Sequence, residues 1–581
     1  MHFFLILLTT LFLITGVQSL HGQNIIIDEN YGDWEAISSF SAETSGDSDS
    51  GDADFLDFKI HSDSKFIYLY VEVDEEILIQ QNQNITLLID TDDNSQTGEV
   101  FEDIGYELMY NLGQRFGEVY LSGETSINSY DIGLVTSPTV SSSRFELVIN
   151  RDAEVDGTPL FPSDEISLLL RTSTSGGDLV PDAQSDKTYE LRNDLYQTPE
   201  YSIEKKSADE VRVMSYNVLR DNLFESSVVD NYRRIFQAVK PDIIGLEEVY
   251  DHSGSQAAEL IGTFVQPEDS GQWYSGDVGN DNLLVSRYPV TDQTAISGNA
   301  AFLLDMGERE MLVLVAHPPC CGNDDGRQQE FDAMMAFVRD SQNGTGNGFE
   351  LEENTPVVIV GDMNLVGLNR QVETLLTGDI ANENNYGIDF NPDWDGTALE
   401  DSKPQNPELP TTFTWYSDGS SFSAGRLDYI VYSGSVLEKT NSFALHTLAL
   451  PADTLQKYQL ESDDTYRASD HLPIVADFNL KTPTSVEEQT GLIPGQVELK
   501  QNYPNPFNPT TRISFYLSSK THVVLEIFDL NGRKISTLMD GVQSSGNHDV
   551  TWNAGDQSSG VYVYKLTTEF GELSKKMILV K

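Results

Sequence analysis

Nine residues constrain this chain more than any others: Pro356-Val357-Val358-Ile359-Val360-Gly361-Asp362-Met363-Asn364. Four β-branched residues in a row predict a short buried strand, and Gly361 ends it. A carboxylate and an amide two positions apart then emerge at its carboxyl end. In an α/β protein that edge is where catalytic groups are set. Similar apolar runs recur nearby, each beside polar groups: Val211 to Asn217, Ile243 to Leu246 before Glu247-Glu248, Asn282 to Val285, Met311 to Ala316 before His317, Leu427 to Val431, and Leu472 to Phe478. Between them, Tyr232, Ile235, Phe236 and Val239 fall at helical spacing, as do Phe331, Met334, Met335 and Val338. The middle of the chain is therefore expected to alternate strands and helices, with polar groups gathered at strand ends.

The flanks read differently. From Asn24 to about Pro199 the pattern is all-β: Phe66 to Asp74 alternates strictly, putting Ile67, Leu69, Val71 and Val73 on one face. Turns rich in Gly, Ser and Asp separate such runs, as in a sandwich. Residues 497–581 are again all-β. The 581 residues thus divide into a β-sandwich at 24–199, a linker at 200–209, an α/β module at 210–480, a second linker at 481–496 and a final β-domain at 497–581. Residues 1–19 form an apolar run ending in small and polar residues, which predicts a secretory signal, although its first segment lacks Lys and Arg. No later stretch reaches the roughly 18 apolar residues of a membrane span.

Charge narrows the partners. With 93 acidic against 35 basic residues the net charge is −58, spread along the chain, so the overall field repels polyanions. A nucleic-acid substrate would have to be held locally; Arg220, Arg287, Arg370 and Lys403 are scattered candidates. The only cysteines, Cys320 and Cys321, are adjacent, which excludes a disulfide framework and leaves a vicinal disulfide or two free thiols. Arg327, just beyond, is either a phosphate ligand or a helix-start residue paired with Asp324 or Glu330.

Five short motifs carry a resemblance: Ser215-Tyr216-Asn217-Val218, Gly245-Leu246-Glu247-Glu248-Val249, Gly361-Asp362-Met363-Asn364, Arg426-Leu427-Asp428-Tyr429 and Ser469-Asp470-His471-Leu472-Pro473. Their order and spacing resemble the endonuclease/exonuclease/phosphatase superfamily, over roughly Val211 to Asn479. One such motif is weak evidence, whereas five in order are strong. The resemblance implies a four-layered α/β sandwich, flanked here by an N-terminal β-sandwich and a C-terminal immunoglobulin-like β-sandwich. It also implies hydrolysis of phosphoesters with Mg²⁺ or Mn²⁺. Hard cations prefer oxygen donors, and Glu248 is the expected ligand, with Asn217 assisting and Asp470 near the metal. A histidine beside an acid suits general-base work if a second carboxylate fixes its tautomer; His471 is the candidate, and the resemblance supplies Asp428 as its partner. Asp362 and Asn364 would position the attacking water and the phosphate. His317 follows a strand of the kind that supplies a second histidine in the deoxyribonuclease and sphingomyelinase branches, and it would act on the phosphate or the leaving oxygen. Taken singly, each of these acids reads as a helix cap or turn residue, and His317 as an ordinary strand-end histidine. Glu247 stands where the family commonly has Gln.

Two further resemblances are looser in one case and specific in the other. Ile25 to Asp28 with Asp33-Trp34, Leu87 to Asn94 with Gly98, and Gly105 to Leu108 resemble a family-9-like carbohydrate-binding sandwich. This suggests a glycan partner, with Phe66, Tyr68 and Tyr70 either a sugar platform or a packed second face. Asp90, Asp92 and Asn94 alternate oxygen donors as a Ca²⁺ loop does, yet without the glutamate of an EF-hand; the alternative is a solvated acidic turn. Gln501 to Thr510, Asp529 to Arg533 and Gly560-Val561-Tyr562 resemble the Por-type (type IX) secretion sorting domain, implying the secretion machinery as partner and an extracellular or cell-surface location. The expected activity is a secreted metal-dependent phosphodiesterase, a nuclease first. A phosphatase or sphingomyelinase-like phospholipase is the alternative, and the full set of acids, amides and histidines argues against an idle binding protein.

Overall fold

The computed structural model describes residues 24–43, 46, 53–81, 83–172, 177–199, 201–267, 271–481, 492–493, 497–500, 502, 504–505, 507–529, 533–555, 557–568 and 571–579. The predicted signal segment, most of the 481–496 linker and the Asn531-Gly532 turn lie outside them. Two compact units result, residues 1–480 and 481–581.

Within the first unit, the N-terminal part is a sandwich of a five-stranded and a seven-stranded sheet. The long strand Phe66–Ile77 alternates as its sequence requires: Ile67, Leu69, Val71 and Val73 join Leu87, Ile89 and Leu168 in the core. The opposite face is also covered, since Phe66, Tyr68 and Tyr70 pack under Ile25, Ile27 and Trp34. These aromatics are a packed layer and offer no platform to a sugar, so they lend the glycan reading no support. Nor does the Asp90 turn support the calcium reading. Asp90 accepts from the Asn94 and Gly105 amides (3.0 and 3.1 Å), Asp92 accepts from the Thr97 hydroxyl (2.9 Å), and the third acid converging there is Glu107, not Asn94. Asp90 and Asp92 thus close the turn on itself, while Glu107 accepts from the Thr91 amide (2.8 Å) and keeps Oε1 without a hydrogen-bond partner.

The α/β module stacks two six-stranded sheets. In one, Val211–Asn217 lies parallel to Ile243–Glu247 and antiparallel to Ile474–Leu480. In the other, Val357–Asp362 lies parallel to Glu310–Ala316 and antiparallel to Asp428–Tyr432. Val213, Leu284, Phe302, Val313, Val360 and Ile430 fill the space between the sheets, which is why these strands read as continuous apolar runs. Helices Val229–Val239 and Gly254–Phe264 cover the first sheet and Asp324–Asn343 the second, giving four layers. The helix at Gly254, not evident from apolar spacing, starts at a capping box made by Ser253 and Gln256. Arg212 is fully enclosed and still satisfied: it is bidentate to Asp477 (2.6 and 2.7 Å) and donates to the Ile203 and Val239 carbonyls. Ile203 is itself buried, so the irregular 201–209 segment lies against the module.

The second unit, by itself, consists of two four-stranded antiparallel sheets around a core that includes Phe515, Ile527, Trp552 and Tyr564. Among the described residues, no helix is long and apolar enough to cross a membrane.

Candidate active site

Asp362 is the centre of the arrangement. Its strand ends between Ala316 and Asp428, because Gly361 pairs with Ala316 on one side and Asp362 with Asp428 on the other. Only glycine fits at 361: φ is +144°, and a Cβ there would meet the Ala316 carbonyl oxygen at 1.9 Å. Two histidines flank Asp362. His471 donates from Nδ1 to Asp428 (2.9 Å), which also accepts from the Thr414 hydroxyl (2.6 Å), and its Nε2 lies 3.5 Å from Asp362 Oδ2. His317 repeats the pattern, with Nδ1 on Asp281 (2.6 Å) and Nε2 3.6 Å from the same Asp362 oxygen. In both, a buried carboxylate fixes the tautomer and leaves Nε2 facing the central acid.

The field follows from this geometry. Burial alone would lower both histidines, but the Asp281 hydrogen bond and the Asp362 charge raise His317 to about 9. The Asp428 and Asp362 charges likewise raise His471 to about 10. Glu247 is fully buried beneath them; burial and then the Asp428 charge push it well above the usual carboxylate range. Its Oε1 accepts from the Ser215 hydroxyl (3.0 Å), and its Oε2 is enclosed without a hydrogen-bond partner.

Asn217 ties the two sheets together. Its Nδ2 donates to both Glu248 Oε1 (3.1 Å) and Asp362 Oδ2 (3.0 Å), while its Oδ1 accepts from the Leu219 amide. Glu248, at a φ of +61°, also accepts from the Arg220 amide (3.0 Å). Asn364 donates to the Pro318 carbonyl (3.1 Å) and so pins the segment after His317. Asp470 accepts from the Trp415 indole (3.1 Å), and its Oδ1 is enclosed without a hydrogen-bond partner. Ser469 bonds the Asn217 carbonyl and receives the His471 amide, locking that loop beside the first sheet.

Residues 214–471 match the family model described as Endonuclease/Exonuclease/phosphatase family. The chain carries a domain of this family. Residues 501–581 match the Secretion system C-terminal sorting domain, which marks the protein as secreted or attached to the cell surface. No curated protein matches the chain. Among solved structures, the human Nocturnin catalytic domain is 15% identical, with 47% of this chain and 95% of that one covered at a TM-score of 0.31. TDP2 of D. rerio, complexed with a single-strand DNA product, is 15% identical (46% and 99% covered, TM-score 0.30). ANGEL2, described as a 2',3'-cyclic phosphatase, is 16% identical (50% and 100% covered, TM-score 0.31).

The endonuclease/exonuclease/phosphatase domain thus brings Asn217, Glu248, His317, Asp362, Asn364, Asp428 and His471 to one place. Glu248, His317, Asp362, Asn364 and His471 line one cavity; Asn217, Asp428 and Asp470 are hydrogen-bonded to residues that line it, Glu248 and Asp362, His471 and Trp415 respectively. The donors suit a hard divalent cation, being carboxylate oxygens: Glu248 and Asp362 face the cavity, and Asp470 has an oxygen that nothing in the protein satisfies. Asn217, expected to assist as a ligand, presents its N–H group to Glu248 and Asp362.

Asp281 escaped the sequence reading. It lies outside the five motifs, and it reaches the site because Leu283–Ser286 runs antiparallel to Ile243–Glu247, so the amino end of that strand lies at the same edge. The acidic and amide run Asn280-Asp281-Asn282 before it was the available signal. Asn299 was missed for the same reason: it accepts from the His317 amide (2.8 Å) at the start of its strand. Arg327 takes the structural role. It is buried on Asp324, Gln371 and the Pro319 and Cys321 carbonyls, bracing the rim where Cys320 and Cys321 stand as free thiols.

Proposed function

We propose that the protein is a secreted, divalent-metal-dependent phosphodiesterase. The observation that supports this best is the pair of carboxylate-backed histidines on either side of Asp362, opening onto a cavity that Glu248 also lines. Glu248 would hold the cation, with Asp470 as a second candidate oxygen donor and Asn217 fixing the spacing of Glu248 from Asp362. Bound there, a divalent cation supplies Lewis acidity toward a phosphoryl oxygen and offsets the carboxylate field that raises both histidines. Asp362 orients the attacking water. His471 takes its proton at Nε2, with Asp428 holding the proton on Nδ1 in place. His317 donates from Nε2 to the phosphate or the departing oxygen. Asn364 keeps the His317 segment at the distance this requires.

Of the substrates considered, small or lipid phosphoesters are favoured over polymeric nucleic acid. Only Arg220 of the four candidate cations lines the cavity. Arg287 is buried against Asp242, Arg370 lies 3.7 Å from Asp379, and Lys403 donates to the Asp28 carbonyl. A polyanion binder needs a row of such groups. The test is the secreted protein assayed on plasmid DNA, RNA, sphingomyelin and inositol phosphates, with and without chelator. Chelator-sensitive release from a small or lipid ester supports the proposal, and no hydrolysis of any phosphoester with Mg²⁺ or Mn²⁺ refutes it.

A further inference from the structure

The cavity above Asp362 is not made by the α/β module alone. Its volume is about 700 Å³, and Leu78, Ile79, Gln80, Gln81, Pro138 and Thr139 of the N-terminal sandwich form part of its lining. These two segments are fastened to the rim of the catalytic module largely through its backbone. Thr139 donates to the Leu365 carbonyl (2.7 Å), the Ser141 amide to the Gly367 carbonyl (2.8 Å) and Gln81 to the Val366 carbonyl (3.2 Å). Gln80 is held from both sides: its side chain accepts from the Ser423 amide (3.0 Å) and donates to Thr136 (2.7 Å), and its carbonyl accepts from Arg115 (2.6 Å). Contact is close enough that a Cβ on Gly425 would meet Thr139 Cγ2 at 2.8 Å. Nearby, Arg426 joins Glu29 of the sandwich to Asp401 of the module (2.7 and 2.6 Å), and Tyr130 meets Tyr416 edge to face. Bonds of this number, made mostly to main-chain atoms, fix a surface and do not merely tether a neighbour.

The sandwich brings Leu78, Ile79 and Pro138 to the cavity beside Gln80, Gln81 and Thr139, whose polar side chains are taken up in the hydrogen bonds above. Leu78, Ile79 and Pro138 carry no charge and no donor, and Trp415 and Phe422 line the same space. A volume of this size lies within the roughly 300–1,000 Å³ of small-molecule pockets. We propose that the N-terminal sandwich is the wall of a specificity subsite: it selects small phosphodiesters whose non-leaving ester group is a single aryl-sized apolar group, packed on Leu78 and Pro138 while the phosphate sits at His317 and His471. This rests on the phosphodiesterase reading and adds the substrate class to it. Polymers are disfavoured twice, by the wall and by the scarcity of cations.

The experiment uses the full secreted chain with Mn²⁺ and two substrates sharing one leaving group, bis(p-nitrophenyl) phosphate and methyl p-nitrophenyl phosphate. A common leaving group confines the comparison to the group against the wall. In Leu78→Asp the ratio of kcat/KM for the aryl over the methyl ester is expected to fall at least tenfold from the wild-type ratio, and in the milder Leu78→Ala at least threefold, with melting temperatures measured to establish that both fold. A ratio unchanged within twofold in a folded variant overturns the wall assignment and leaves the hydrolase reading standing. So does wild-type cleavage of internal bonds of plasmid DNA at a kcat/KM equal to that for the aryl diester. Hydrolysis of neither diester by the wild type overturns both.

Discussion

The floor and the wall of the same cavity are built on opposite principles. The floor consists of strand ends from both central sheets, and its residues are acids, amides and histidines held by charge and hydrogen bonds around Asp362. The wall comes from a different sandwich, sets Leu78 and Pro138 beside polar side chains that are already bonded, and is held mainly by bonds to backbone atoms. Chemistry needs groups whose protonation and direction are set to fractions of an ångström, which buried ionic contacts achieve. Selection of an apolar group needs shape and dryness, which need no charge at all. A change to the floor should therefore act on kcat, and a change to the wall on the discrimination between substrates.

The largest effect is expected at the seam. Arg426 is buried between Glu29 and Asp401, and Arg426→Ala leaves both carboxylates without their partner. A loss of about 3–5 kcal/mol in unfolding free energy is expected from denaturant titration; a loss within about 0.5 kcal/mol would mean that the sandwich is not held there. On the floor, His471→Ala should lower kcat on bis(p-nitrophenyl) phosphate at least about a hundredfold, as for loss of a general base, with KM changed far less. Unchanged turnover would remove His471 from that role.

A third measurement sharpens the contrast within the module itself. His446 lies between Phe413 and Tyr416, neither ring nitrogen has a hydrogen-bond partner, and burial lowers it to about 4. His471, equally buried, is raised because carboxylates surround it. The folded protein keeps His446 unprotonated while the unfolded chain takes up a proton below about pH 6.5. Stability from this residue is thus complete above that pH and lost as pH falls toward about 4. Between pH 7 and pH 5 the loss amounts to about 2 kcal/mol, and His446→Phe should remove that slope from denaturant titrations. A slope identical to the wild type would place the proton uptake elsewhere. The smallest effect is expected at Asp281→Asn, which keeps a partner for His317 but removes its charge. Turnover should drop roughly tenfold, less than at His471, because His317 assists and does not initiate.

Asn217, Glu248, His317 and Asp362 stand out in the sequence because each ends or directly follows a buried strand, whereas Asp428 and His471 stand at or just before the amino ends of theirs and are picked out only by the motifs around them. Asp281, which precedes a strand, and Asn299, which begins one, did not stand out, because neither lies in one of the five motifs and only antiparallel pairing brings them to the same edge. The direction of the Asn217 amide was also hidden: an amide is an oxygen donor to a metal or a nitrogen donor to acids according to its neighbours. The wall left no sequence signal. Residues 78–81 and 138–141 meet 365–367 and 423–426 across more than two hundred positions, through carbonyls that every residue type possesses. Similarly, the alternation in Phe66–Ile77 located a strand, but only packing under Ile25, Ile27 and Trp34 decided that its aromatic face is covered.

The central claim is that the strand-end oxygens and the paired histidines form one metal-dependent hydrolytic site, and Mn²⁺ titration of chelator-treated protein tests it most directly. Wild-type protein should be inactive on bis(p-nitrophenyl) phosphate until Mn²⁺ is added, and Glu248→Ala should bind Mn²⁺ at least about tenfold more weakly by calorimetry and fail to recover. Wild-type hydrolysis that persists in excess chelator, or full Mn²⁺-dependent recovery of Glu248→Ala, would contradict it.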